Sequence, residues 1–349
     1  MSYPIDARPS RRRLLALGAA AAAGSLLSGC GTGGDAAGSS ATPSTSQPNE
    51  RTRWSFTDDR GETITADTTP SRIVAFTGTA AALVDLGLED KIVGVFGETT
   101  NQDGTPHPQA GDLDVDKVAI LGNVWGEFNV EKYAALRPDL LVTHMYDPGS
   151  LWYVPEESKD AILRVAPSVA INVARVPILE PIQRYAELAE ALGADLTSSA
   201  VTEAKARFEA AADSLREAVR ANPGIKVMAA SGSQDLLYVS NPKVNTDLLF
   251  FAELGVDLVQ PEKLDAGGYY ESLSWENADT YAADLILLDS RSTALQPDDL
   301  AAMPSWTRLP AVKADQITPW DSVPRFSYKG FAPNLERLAE AIRKARRVR

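Results

Sequence analysis

The side chains in this sequence that could do chemistry fall into three groups. Glu131 and Glu276 sit in matching phrases, Val130-Glu131-Lys132-Tyr133-Ala134-Ala135-Leu136-Arg137-Pro138-Asp139-Leu140 and Trp275-Glu276-Asn277-Ala278-Asp279-Thr280-Tyr281-Ala282-Ala283-Asp284-Leu285. In each, a capping residue (Asn129 or Ser274) precedes an apolar residue and the glutamate, and eight positions after the glutamate an aspartate opens an apolar strand. The spacing predicts a loop–helix–strand unit written twice, with each glutamate in the first turn of its helix, where a carboxylate complements the helix dipole. The second group is aromatic: Trp125, then Tyr146, Trp152 and Tyr153, and later Tyr238, Tyr269, Tyr270, Trp320, Phe326, Tyr328 and Phe331, with Arg291 and Arg325 among them. Aromatic side chains on loops mark a ligand or partner surface, because loops do not need them for packing. The third is Cys30, which closes Leu27-Ser28-Gly29-Cys30.

Several chemistries are missing or thin. With one cysteine and two histidines, His107 and His144, the chain can form no internal disulfide and no cysteine metal cluster. A carrier of bare zinc or manganese needs three or four converging ligands, which two histidines do not supply. His144-Met145-Tyr146 could offer an axial ligand to haem. There is no Gly-x-Ser-x-Gly elbow, no His-Glu-x-x-His and no glycine-rich phosphate loop opening a helix. Asp/Glu pairs keep an extracytoplasmic α/β enzyme open as a reading. A net charge of −13 opposes any nucleic-acid partner.

The elements that position these groups follow from patterning. The 349 residues, 44% hydrophobic, suit a globular chain of two domains. Residues 1–29 carry a basic head, Arg11-Arg12-Arg13, then a short apolar run and small residues, the grammar of a secretory signal. Residues 30–50, rich in Gly, Ser, Thr, Pro and Ala, form a flexible tether. Trp54 to Ala66 reads as a hairpin, and from Ile73 strands alternate with helices, which predicts a mostly parallel sheet covered on both faces. Leu196 to Ala221 has Val201, Ala204, Phe208, Ala211, Leu215 and Ala218 on one face, a helix about 36 Å long. Because the repeated unit occurs once on each side of it, the helix (196–222) is expected to join two lobes, 51–195 and 223–349. The loops at the strand ends of each lobe then gather the aromatic groups around a cleft.

The signal resembles that of a bacterial lipoprotein, with a lipobox ending at Cys30 and paired arginines like those of twin-arginine export. The whole mature chain, through Pro70-Ser71-Arg72-Ile73-Val74-Ala75, the Glu131…Pro138-Asp139-Leu140 element and the long helix, resembles the substrate-binding proteins with a helical backbone that serve ABC importers of iron–siderophore, haem and cobalamin. That resemblance implies an α/β fold of two lobes, each with a central mostly parallel sheet flanked by helices, joined by one long inter-lobe α-helix. It implies no enzyme activity and no cofactor, the ligand being a preformed ferric siderophore. It also implies a lipid anchor on Cys30 at the extracytoplasmic face of the cytoplasmic membrane, and a monomer. Glu131 and Glu276 map onto the two glutamates that dock on arginines of the permease. The ligand is expected against Trp125, Tyr146, Trp152, Tyr153, Tyr238, Tyr270, Arg291, Arg325 and Tyr328. Few cationic side chains are on offer for a strongly anionic ferric catecholate, so a neutral or cationic ferric hydroxamate is expected. Haem and cobalamin remain alternatives on the same fold.

Overall fold

A computed structural model describes residues 53–349. The signal, Cys30 and the tether lie outside the described residues. The hairpin is β1 (Trp54–Thr57) and β2 (Thr63–Ala66), antiparallel with Trp54 opposite Ala66. Trp54, Phe56 and Ile64 alternate inward. Asp58 in the turn accepts from the Ala170 amide, so the hairpin is fixed to the sheet beside it.

That sheet has the order β5 (Ala119–Ile120), β4 (Ile92–Phe96), β3 (Ile73–Phe76), β6 (Leu140–Met145), β7 (Ser168–Asn172), all parallel. Its central strands β3 and β6 are buried on both sides, as covered parallel strands must be, and are apolar apart from Thr143 and His144 at the end of β6. Helices α1 (Thr77–Asp85), α2 (Val130–Ala135), α3 (Lys159–Leu163) and α4 (Leu179–Ala191) accompany it. The chain builds outward from β3 to β4 and β5, then returns to β6 on the other side. The loops after β3 and β6 therefore diverge at a topological switch point, where such sheets make their crevice.

Helix α5 (Ser199–Ala221) follows, starting three residues later than its sequence pattern. The second sheet comprises β8 (Lys226–Gly232), β9 (Leu236–Ser240), β10 (Asp257–Leu258), β11 (Tyr270–Ser274), β12 (Leu285–Asp289) and β13 (Ile317–Trp320). It is mixed: β10, β8, β12 and β13 run parallel, whereas β9 pairs antiparallel with both β8 and β11. Tyr270, grouped above with the aromatic side chains on loops, thus opens a strand. Four helices surround it: α6 (Thr246–Glu253), α7 (Pro297–Leu300), α8 (Pro304–Thr307) and α9 (Pro310–Lys313). A fifth, α10 (Tyr328–Lys344), falls where the sequence had suggested an aromatic loop. Ser327 caps it by accepting from the Gly330 amide at 2.9 Å. Phe331, Leu335, Leu338, Ala339 and Ile342 form its buried face.

The duplicated phrase proves to be structural as well as textual. Asp139 accepts from the Ser71 and Arg72 amides, just ahead of β3, while Asp284 accepts from the amide of Lys226, the first residue of β8. Each aspartate opens a strand and staples the start of the parallel strand beside it, so β3–β6 and β8–β12 are equivalent halves.

The two sheets are not held apart by a lone rod. α10 lies along α5, with Arg207 donating to Glu336 through two bonds of 2.7 Å and Asn222 donating to the Ile342 and Ala345 carbonyls. Phe208 of α5 packs on Tyr328 and Phe331. Through this pair one hydrophobic core runs unbroken from the hairpin and first sheet to β8, α6 and α10. Direct joints reinforce it: the Arg175 amide donates to Val244 and that of Ile178 to Thr246, and Tyr185 stacks on Phe326.

Candidate functional site

The loop after β6 folds back on its own strand. The Trp152 amide donates to the His144 carbonyl at 2.9 Å, and Thr143 Oγ1 donates to the Trp152 carbonyl. Tyr153 adopts φ 61° to make that return. The result sets the Tyr146 and Trp152 rings 4.6 Å apart as one wall of a cleft. Beneath them His144 is boxed by Phe76, Tyr146, Trp152 and Phe326, with ring centroids between 5.0 and 6.1 Å away. Burial holds the His144 pKa down to about 3 and pushes that of Tyr146 up. His144 Nδ1 and Nε2, Tyr146 Oη and Trp152 Nε1 are buried and have no hydrogen-bond partner among the described residues.

The facing wall comes from the second sheet. Tyr238 on β9 and Tyr270 on β11 meet edge to face at 5.1 Å. At the end of β12, Asp289 is fully buried and takes Arg291 Nη2 at 2.6 Å and Ser322 Oγ at 2.9 Å. Burial opposes the Arg291 charge, but its bonds to Asp289 outweigh this and raise its pKa. Trp320 donates through Nε1 to Asp247 at 2.5 Å, and burial lifts that carboxyl to about 7 despite this bond. Between the walls lies a cavity of about 490 Å³, lined by Tyr146, Asp147 and Trp152 of the first lobe and by residues of the second that include Tyr238, Tyr269, Tyr270, Asp289, Arg291, Trp320 and Ser322.

Of the residues singled out from sequence, Tyr146, Trp152, Tyr238, Tyr270 and Arg291 come together here. Trp125, 63% exposed, packs edge-on against Trp152 and Tyr153 at 5.0 Å and does not line the cavity. Tyr153 lies behind Trp152, against Phe76. Two corrections follow from α10. Arg325 points away from the cleft to Asp85 of α1, lodged where a Cβ on Gly111 would come within 2.0 Å of Nη1. Tyr328 belongs to the α5–α10 seam. Sequence reasoning missed Asp147, Asp289 and Ser322. For Asp289 a signal existed: a carboxylate ending an apolar strand two residues before an arginine.

Glu131 and Glu276 are both exposed, and neither takes part in an ion pair among the described residues. Glu131 lies in the first turn of α2, where Asn129 accepts from the Lys132 amide. Glu276 departs from expectation, sitting in a single 3₁₀ turn, Trp275–Asn277, without a side-chain cap.

A family model described as "Periplasmic binding protein" matches residues 73–324, which span both sheets and the cleft. The chain belongs to that family. Its members are binding proteins, and the similar solved structures are binding proteins as well, not enzymes. One is DesE, a ferric-siderophore receptor protein from Streptomyces coelicolor, at 52% identity over 85% of this chain and 100% of that one, with a TM-score of 0.81. The petrobactin-binding protein YclQ of Bacillus subtilis shares 17% identity over 84% of this chain and 99% of its own, TM-score 0.64. A periplasmic heme-binding protein of Pseudomonas aeruginosa shares 19% over 79% and 94%, TM-score 0.58. At these identities the last two speak for the fold alone. No curated protein sequence matches the chain.

Proposed function

We propose that this protein captures a ferric siderophore of the hydroxamate type in the inter-lobe cleft and delivers it to an ABC permease, docking through Glu131 and Glu276. The 52% identity to a ferric-siderophore receptor supports the siderophore class. The observation that favours hydroxamates is the charge of the cleft. Among the described residues that line it, Arg291 is the one cation and is already committed to buried Asp289, while Asp147 adds a second carboxylate that pairs with Arg175 at the rim. A ferric tris-catecholate carries several negative charges and would meet no uncommitted cation, whereas a neutral or cationic ferric hydroxamate meets aromatic walls and hydroxyls that suit it. The iron arrives already coordinated, so the protein contributes walls and hydrogen bonds and needs no cofactor. Haem fits less well, because His144 and Met145, two of its candidate axial ligands, are buried in the core. The lipid on Cys30 leashes a monomer to the outer face of the cytoplasmic membrane.

Trp152 and Trp320 line the cleft, so intrinsic fluorescence reads occupancy. Titration with ferrichrome, ferrioxamine B and ferric enterobactin is expected to give the two hydroxamates the tighter binding. Tighter binding of the catecholate refutes the hydroxamate assignment.

A further inference from the structure

One end of the cleft is bolted shut by side chains from both lobes. Arg175, between β7 and α4, takes φ 63°, a conformation that costs a non-glycine residue strain and calls for a reason. From there Nη1 donates to the Tyr146 carbonyl at 2.9 Å and to Tyr269 Oη at 3.0 Å, and Nη2 donates to the Gly267 carbonyl at 2.9 Å. The guanidinium also lies 4.9 Å from the centre of the Tyr269 ring and 3.3 Å from Asp147. Tyr269 in turn donates to the Tyr146 carbonyl at 2.9 Å. Its own backbone is fixed to the second lobe, with its amide on Asp265 and its carbonyl on the Asn241 amide. Behind this knot lies a second cavity of about 590 Å³, which shares Tyr146 and Asp147 with the cleft and is lined by Arg175 itself.

We propose that Arg175 and Tyr269 form a clasp that walls the cleft off from the second cavity and holds the lobes at a fixed angle before ligand arrives, so that ligand exchanges only through the cleft's remaining opening. This rests on the cleft being the ligand site. A wall of that kind restricts rates and leaves equilibrium alone: removing it adds a route in and the same route out. A residue that contacts ligand behaves differently, because its loss raises dissociation and weakens binding together. The double donation onto one carbonyl also fixes the end of β6, which carries Tyr146 into the cleft wall, so Arg175 is a positioning residue.

The test uses Arg175→Ala and Arg175→Met, both at a position outside the lining of the cleft, the second keeping the bulk of the stem while removing every side-chain donor. Stopped-flow tryptophan fluorescence with ferrichrome and with ferrioxamine B reads both rate constants. Association and dissociation are each expected to rise at least fivefold, with Kd shifted less than threefold. Unchanged rates overturn the clasp, and so does a rise in dissociation matched by an equal loss of affinity. Hydrogen exchange of the unliganded protein gives a second readout. The Arg175 and Ile178 amides, which bond across the lobes to Val244 and Thr246, are expected to exchange at least tenfold faster in the variants. No change there also overturns the proposal. If neither hydroxamate binds the wild type, the functional reading fails while the exchange experiment still decides the clasp.

Discussion

His144 offers a sharp test of how the cleft floor is built. The residue is 1% exposed, packs against four aromatic rings and has no partner for either nitrogen among the described residues. Burial holds its pKa down to about 3, so the folded protein keeps it neutral while the unfolded chain protonates near the ordinary value of about 6.5. Between those two values the unfolded state binds more protons than the folded one. Stability therefore rises with pH across that window, by about 1.4 kcal/mol per unit, and is lost as pH falls below about 6.5. Asp247, raised to about 7, and Asp321, raised to about 6, act in the opposite sense. Each binds a proton more readily when folded, so the stability it contributes is present below its unfolded pKa and lost as pH rises through its folded one. These terms partly mask the histidine in the wild-type curve, but they cancel in the difference between wild type and His144→Phe. At pH 7.5 the variant loses two unpaired buried nitrogens, a gain of about 1–3 kcal/mol, against an overpacking cost of similar size. From pH 7.5 to pH 4.5 the balance is expected to shift by about 3 kcal/mol toward the variant, the histidine term over the two units below its unfolded pKa. Urea titrations at the two values measure it. A difference that does not change with pH would mean that water or a partner reaches the imidazole, and the dry aromatic box would be wrong.

Removing Arg291 by Arg291→Ala strands the buried Asp289 carboxylate, with an expected destabilisation of about 3–5 kcal/mol; the double variant with Asp289→Ala should recover most of it, measured by thermal or urea unfolding. Glu131→Ala and Glu276→Ala should each leave ferrioxamine B affinity within about twofold and lower cellular uptake of the iron-55 complex by roughly tenfold, since exposed charges set orientation and encounter rather than cleft chemistry. A parallel fall in affinity would return both carboxylates to the cleft.

Much of this architecture is legible in the chain because burial leaves a plain signature. The apolar runs that open the strands at Ile73 and Leu140, the period of α5 and the paired Glu…Asp phrase each report one local demand. What escaped was set by distant contacts. β11 reads Tyr270-Glu271-Ser272-Leu273-Ser274, and Glu271 breaks the apolar alternation although it is 5% exposed, because the Tyr281 hydroxyl and the Glu262 and Lys263 amides satisfy it. The start of α10 was hidden by Gly330 and Pro333, both of which look like helix breakers. Gly330 is needed for close approach: a Cβ there would lie 2.6 Å from Arg325 Cβ. With the helix unrecognised, Arg325 and Tyr328 read as cleft residues, when their partners are Asp85 and Phe208.

The same joint bears on how cargo is chosen. Asp85 has a side chain only 1% exposed and accepts from Ser327 at 2.6 Å, with Arg325 at 3.3 Å and Lys329 at 3.7 Å. Swinging the lobes apart would part these groups and replace their charge-assisted bonds with bonds to water. The same motion would expose the buried stack of Tyr185 on Phe326. These contacts oppose large-scale motion of the lobes around a ligand. On the proposed reading, choice falls to the fixed walls: the Tyr146–Trp152 pair, the Tyr238–Tyr270 pair and the single committed cation between them.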